Sequence, residues 1–188
     1  MTRIKHSKKL LPIKVLLFQV VAVTLLLIIF FQDMKSRSVY WILFPLLTAV
    51  LLYIEYKGDT ILINSIQSTL INLGFLIFQL VVLTIYFSIK NKALVNITES
   101  LLGWGDILLL ISISVYLSVL NFLFFYIVSL VVTLLIWVCW GMFSSKKIKY
   151  IPLAGFQSLI FILFLASDWW LRIFDLTNDG WLLNLISK

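Results

Sequence analysis

Two aspartates stand at the ends of long apolar runs, where an acid is costly to bury and therefore indicates a function. Asp33 follows the first run, and Asp106 closes the tetrad Gly103-Trp104-Gly105-Asp106. Two carboxylates at one desolvated site share a proton, because like charges at close range cannot both ionise easily. The ionised carboxylate then accepts a proton from water, while the neutral one donates to a carbonyl oxygen. That chemistry is hydrolysis, and Gly103 and Gly105 would let an extended peptide approach Asp106 closely.

The other acids have simpler interpretations, and an isolated Asp106 would have one too. An aspartate at a helix N-terminus complements the helix dipole, and glycines mark turns. Asp168 precedes Arg172 by four residues, a helical spacing that favours an ion pair. Glu99 lies in a polar stretch, where it either caps the fourth helix or lines a site. The remaining acids are expected in solvated loops or the tail: Glu55, Asp59, Asp175 and Asp179.

The elements that position these carboxylates must be transmembrane helices. Of the 188 residues, 62% are hydrophobic and 12% are charged, and the mean hydropathy is +1.10. A soluble domain of this size could not bury that much apolar surface. The composition argues against a disordered tail, a collagen-like repeat, a disulfide scaffold and a nucleic-acid-binding domain. With one cysteine and one histidine, no metal and no cofactor is expected.

Six apolar runs predict an all-α, polytopic membrane protein with six transmembrane helices in a single domain, residues 1–188. The longest run has nearly twice the ~20 residues needed for one crossing, and Asn121 is its most polar interruption. The first run lacks a cleavage pattern, which favours a retained helix over a signal peptide. The helices are predicted at about 11–31, 39–55, 65–89, 101–120, 122–142 and 151–171, with an amphipathic tail at 172–188 on the membrane surface.

Alternating crossings place Asp33 and Asp106 on the same face of the membrane, together with the loop before Pro152. This holds for either absolute orientation. The net charge of +7 does not choose between orientations, because the fifteen basic residues divide eight to seven between the two faces. The basic residues instead mark membrane interfaces, where they contact lipids.

The motifs around these residues resemble one family of proteases. The first motif is Asp33-Met34-Lys35-Ser36-Arg37, the second is the tetrad ending at Asp106 with Leu102 before it, and the third is Ile151-Pro152 opening the last helix. In order, spacing and helix count they resemble the prepilin peptidases (type IV leader peptidases), membrane aspartyl proteases of the Gly-x-Gly-Asp type. The resemblance covers almost the whole chain.

The resemblance implies an intramembrane aspartyl endopeptidase with Asp33 and Asp106 as its catalytic pair. It implies a substrate that is a pilin-like precursor with a transmembrane segment, from which a short basic leader is removed. It also implies the cytoplasmic membrane of a prokaryote, with the active site towards the cytoplasm and Met1 outside. The oligomeric state stays open, a homo-oligomer included. Supporting or substrate-binding roles are expected for Gly103, Gly105, Lys35, Arg37 and Pro152; Lys35 and Arg37 would contact lipid headgroups or hold the loop.

The sequence departs from the family pattern at two places. Ser38-Val39-Tyr40-Trp41 stands where the family often has Ile-Pro-Asn after the arginine, and Leu108 stands where it usually has lysine. Bifunctional members carry an insert with paired Cys-x-x-Cys motifs, which this sequence lacks, so methyltransferase activity is not expected. Presenilin-like proteases share the Gly-x-Gly-Asp motif, but they place a tyrosine before the first aspartate, where this chain has Gln32. The chain therefore resembles that branch less than it resembles the prepilin peptidases.

Two other classes of function stay open from the sequence. A small transporter or channel would use its aspartates to bind a cation or relay protons, but its acids belong near mid-membrane rather than at helix ends. A divergent, non-catalytic assembly factor would bind pilin-like helices without cutting them, and the motif departures leave room for it.

Overall fold

Every regular element is helical in the computed structural model, which describes residues 13–57, 62–92, 103–143 and 152–186. The all-α fold class is therefore confirmed for this part of the chain. Its elements are α1 (Ile13–Ser36), α2 (Leu43–Lys57), α3 (Leu62–Asn91), α4 (Trp104–Ser114), α5 (Val119–Phe143), α6 (Leu153–Ala166) continued by a π-helical turn (Ser167–Leu171), and α7 (Gly180–Ile186).

Four of the described helices are long and apolar enough to cross a bilayer. They are Ile13–Ser36, Ser65–Asn91, Val119–Cys139 and Leu153–Leu171. Helices α2 and α4 are also apolar but have only 15 and 11 residues, or about 22 Å and 16 Å at the helical rise. Both are shorter than the ~30 Å hydrocarbon core. By length and composition, the described residues thus support a membrane protein with four candidate membrane spans, and the six predicted crossings are not confirmed.

Helix α1 packs most extensively against α6 and next against α2. The core contains fully buried side chains from five of the helices, and their large apolar groups interdigitate. Many apolar side chains point outward instead; Phe78 on α3, for example, is 67% exposed. Outward apolar side chains suit contact with lipid, since a soluble protein rarely exposes large contiguous apolar patches. Representative core residues are Leu26, Leu47, Ile113, Phe125 and Phe161.

Helix α1 continues beyond the end predicted for it near residue 31. The Ser36 hydroxyl donates to the backbone oxygen of Gln32 at 2.9 Å, and Arg37 takes a left-handed conformation that ends the helix. The change from apolar to polar side chains at Gln32 therefore does not stop the helix, because its backbone bonds continue. Helix α2 begins at Leu43 rather than 39, because the Tyr40 N–H donates to the Gln32 side-chain oxygen at 3.1 Å and holds the connection as a loop.

The long apolar run divides earlier than predicted: α4 ends at Ser114 rather than 120, and α5 begins at Val119 rather than 122. Asn121 lies in the first turn of α5, fully buried, and its side-chain N–H groups donate to the backbone oxygens of Asp175, Leu176 and Asn178. These bonds tie the C-terminal tail, which is predicted to lie on the membrane surface, to the start of α5.

The tail also closes the start of α5. The Asp179 carboxylate accepts hydrogen bonds from the N–H groups of Leu120 at 3.0 Å and Asn121 at 3.3 Å, as an N-cap residue does. The Trp181 indole donates to the Asn121 side-chain oxygen at 3.0 Å. Asp179 therefore has a structural partner in addition to solvent.

Two further acids lie in environments that the sequence does not predict. Glu55 belongs to α2, is 8% exposed and accepts a hydrogen bond from Ser65 on α3, so it is not a loop residue. Asp168 accepts a hydrogen bond from the Tyr116 hydroxyl at 2.8 Å. It does not pair with Arg172, because Arg172 is left-handed and lies beyond the π-helical turn.

Candidate active site

Asp33 is positioned by the last turns of α1, at the end of that helix where α6 begins. Its side chain is 8% exposed, and its Oδ2 accepts a hydrogen bond from the backbone N–H of Gly155 at 2.6 Å. The carboxylate is thus held by a residue 122 positions later in the chain. The close packing of α1 against α6 makes this contact.

Asp106 is positioned by the first turn of α4, as its place after the two glycines predicts. Its Oδ2 accepts the backbone N–H of Gly103 at 3.0 Å, which completes a capping interaction at the N-terminus of α4. The backbone amide of Ala154 also interacts favourably with this carboxylate. The negative charges of Asp33 and Asp106 interact with each other.

The start of α6 is the element that brings the two carboxylates together. Pro152 is its N-cap residue and supplies no side-chain hydrogen bond, so the first-turn N–H groups of Ala154 and Gly155 need other acceptors. Asp33 accepts the Gly155 N–H, and Asp106, from a different helix, interacts with the amide of Ala154. The positive end of the helix dipole also favours negative charge at this position. Pro152 lies next to the site, and its contribution is to open the helix.

Gly155 is a site residue to which the sequence analysis gave no role. A Cβ atom there would lie 3.1 Å from Asp33 Oδ2 and 3.5 Å from the backbone oxygen of Phe30. The close approach of α1 to α6 therefore leaves little room for a larger residue at position 155. The only signal in the sequence was its place three residues after Pro152, where a first-turn amide is unpaired.

The two glycines of the tetrad differ in what surrounds them. A Cβ at Gly103 would lie 3.2 Å from Asp106 Oδ2, whereas one at Gly105 would meet nothing closer than Phe44 Cζ at 3.8 Å. Neither glycine has a positive φ. Gly103 is therefore constrained by its contact with Asp106, and the fold itself does not require glycine at 105.

The two basic residues of the first motif lie at the exposed end of α1. Lys35 is in the last turn of the helix, and Arg37 follows it in a left-handed conformation. Both side chains are exposed, and the charge of Arg37 interacts with the Asp33 carboxylate. They border the site at its surface and do not lie between the two carboxylates and the α6 amides.

The arrangement suits acid–base chemistry better than metal binding. Backbone N–H groups already donate to both carboxylates, and a helix N-terminus repels cations. No group of three or more His, Cys, Asp or Glu side chains among the described residues could hold a metal ion. A carboxylate pair shielded by apolar helices can share one proton and activate water.

A second polar group lies beside Asp106 and was also missed from the sequence. Gln157 on α6 is fully buried, and it lines a cleft together with Asp106, Gln79 and Tyr126. Glutamines inside apolar runs give no periodic signal that would distinguish them from lipid-facing polar residues.

In comparisons with known proteins, no family model, no curated protein and no solved structure matches this chain.

Proposed function

We propose that this protein is an intramembrane aspartyl endopeptidase that removes the leader from pilin-like precursors. The observation that carries the proposal is the pairing of Asp33 and Asp106 on neighbouring amides, Gly155 and Ala154, at the start of α6. Two acids from different helices at one helix N-terminus form the shared-proton pair that peptide hydrolysis requires. The same contacts would be present if both carboxylates only capped the N-terminus of α6. A measurement of cleavage must therefore decide between a catalytic role and a capping role.

The proposal assigns each carboxylate a share of one reaction. The ionised carboxylate accepts a proton from water as the water oxygen attacks the scissile carbonyl carbon. The neutral carboxylic acid donates its proton to the carbonyl oxygen, which gives a tetrahedral intermediate. Collapse of that intermediate breaks the C–N bond. The first aspartate, now protonated, gives its proton to the leaving amine, while the second, now ionised, takes a proton back from a hydroxyl of the intermediate, which restores the starting pair.

The proposal includes six crossings, with α2 and α4 as short ones. A helix that is too short to span the hydrocarbon core is tolerated where its ends lie against protein or a polar cavity rather than lipid. Helix α4 begins at the site itself, with Asp106 in its first turn. Its start would thus lie in the cavity that admits water and substrate, on the cytoplasmic side of the membrane.

The test is cleavage of a precursor with a short basic leader and an apolar segment, co-expressed with the protein and followed on a gel. Asp33→Asn and Asp106→Asn should each slow leader removal by at least about 100-fold, the usual contribution of acid–base catalysis. The matched control is Asp175→Asn, which removes an exposed carboxylate from the tail and should cleave at the wild-type rate. Undiminished cleavage by either of the first two variants would refute the mechanism.

Two outcomes would replace the proposal with one of its alternatives. Binding of the precursor by the wild type without cleavage would identify a non-catalytic assembly factor. Ion flux into proteoliposomes that Asp33→Asn abolishes, in the absence of any cleavage, would identify a transporter.

A further inference from the structure

A cleft between α3, α4, α5 and α6 lies beside Asp106 and contains two amide side chains. Asp106 itself lines the cleft, so a molecule within it would reach the candidate catalytic pair. The polar side chains of the lining, other than Asp106, are Gln79, Tyr126 and Gln157. Much of the rest is leucine, including Leu76, Leu80, Leu83, Leu110 and Leu130.

The Gln157 amide is oriented by its neighbour on α5. Its Nε2 donates to the Ser129 hydroxyl oxygen at 3.4 Å, and that hydroxyl donates its own proton to the backbone oxygen of Tyr126 at 3.0 Å. Since the hydroxyl proton is already used, the amide must present nitrogen to Ser129. The Gln157 side chain is fully buried, yet its Oε1 atom has no hydrogen-bond partner.

Gln79 on α3 repeats this arrangement from another wall of the cleft. Its Nε2 donates to the Tyr126 hydroxyl, and its Oε1 is likewise buried without a partner. Helix α5 thus holds the nitrogen ends of both amides through Tyr126 and Ser129. Two buried carbonyl oxygens on side chains that line the cleft are thus left without a donor, and an unmet acceptor in apolar surroundings is costly.

The complement of this lining is a chain with apolar side chains and free N–H donors. A peptide in extended form has both, because its backbone N–H groups are not bonded within the segment as they are in a helix. The interior of a helical segment offers no such donors, and neither does a lipid acyl chain. A peptide must also be extended for its scissile carbonyl to reach a pair of carboxylates.

We infer that this cleft holds the substrate's apolar segment in extended form beside Asp106, with Gln79 and Gln157 accepting hydrogen bonds from its backbone N–H groups. The inference rests on the proposed peptidase function, and it makes the two glutamines positioning residues. They bind backbone rather than side chains, so the cleft would accept different apolar sequences.

The first test separates substrate binding from chemistry in the purified full-length protein, with the same leader-bearing precursor. Gln157→Leu removes the acceptor but keeps an apolar volume, and it should raise KM about tenfold, the effect of one hydrogen bond, with kcat within about twofold. The matched control is Gln19→Leu on α1. Gln19 is also buried with an unpartnered Oε1, but it lies outside the cleft, so its KM should not change. An unchanged KM for Gln157→Leu, or an equal rise for Gln19→Leu, would overturn the role of the amides.

The second test locates the precursor without requiring catalysis. A photoreactive p-benzoylphenylalanine replaces Leu80, which lines the cleft, in the Asp33→Asn background. The control replaces Phe78, which is on the same helix and 67% exposed. Illumination should cross-link the precursor to the probe at position 80 and not at 78.

The outcomes of the second test separate the inference from the proposed function. Cleavage by the wild type, with no cross-link at position 80 or with equal cross-links at 80 and 78, would overturn the cleft and leave the peptidase standing. A cross-link confined to position 80, with no cleavage by the wild type, would support the cleft and refute the peptidase.

Discussion

Substitution of Gly155 by alanine tests whether the contact between α1 and α6 positions the catalytic pair. The new Cβ would lie 3.1 Å from Asp33 Oδ2, 3.4 Å from Asp33 Cβ and 3.5 Å from the Phe30 backbone oxygen. An ordinary contact is at least 3.4 Å, so the carboxylate must retreat by about 0.3 Å or more. That retreat lengthens the 2.6 Å hydrogen bond to the Gly155 N–H and moves Asp33 relative to Asp106.

The expected loss of activity follows from that displacement. A misplacement of 1 Å can cost about 100-fold in rate, so 0.3–0.5 Å corresponds to about fourfold to tenfold in kcat/KM. The free energy of unfolding should change little, because alanine is favoured over glycine within a helix by about 0.5–1 kcal/mol, which offsets the strain. A loss of rate with a nearly unchanged melting temperature is therefore the expected signature.

The assay is the initial rate of leader removal in detergent, measured beside thermal unfolding of the same preparation. Gly74→Ala is the matched control, since a Cβ there would meet nothing within 4 Å, and it should cleave at the wild-type rate. If Gly155→Ala also cleaves at that rate while Asp33→Asn does not, the contact does not position Asp33 and the reasoning fails.

Three further substitutions test the site and the opposite end of the bundle. Gly105→Ala should fold normally, because the nearest atom to the new Cβ would be Phe44 Cζ at 3.8 Å. A raised KM in this variant would show that the substrate backbone passes close to position 105. An unchanged KM would exclude such a path for the substrate. Tyr116→Phe leaves the Trp169 indole N–H without its acceptor and should lower the free energy of unfolding by about 1–3 kcal/mol, with cleavage per folded molecule unchanged; equal melting temperatures would contradict this. Burial, and then the Asp168 charge, raise the pKa of Tyr116 well above its ordinary value, so the hydroxyl stays protonated at neutral pH. Asp179→Ala should cost about 0.5–2 kcal/mol and expose the tail to limited proteolysis, whereas Asp179→Asn should recover part of the loss; a protected tail in the alanine variant would argue against the cap.

Composition and the order of the apolar runs were enough to predict a helical membrane protein. They were also enough to predict that both candidate catalytic aspartates lie at the same membrane face. A chain that is 62% hydrophobic can hide its backbone polar groups in a membrane only as helices or closed barrels, and runs this long are helical. Counting crossings was enough to predict Asp33 and Asp106 on one face. The short lengths of α2 and α4 were not predictable, because apolar side chains continue beyond the ends of those helices.

Tertiary structure decided which groups each acid contacts. Asp33 meets Gly155 because α1 packs against α6, and Asp168 meets Tyr116 rather than Arg172 because a π-helical turn follows α6. These partners are 122 and 52 positions away in the chain, so local spacing carries no information about them. The sequence by itself could place carboxylates at helix ends; only the packing of the helices brought two of them onto neighbouring amides at the start of α6.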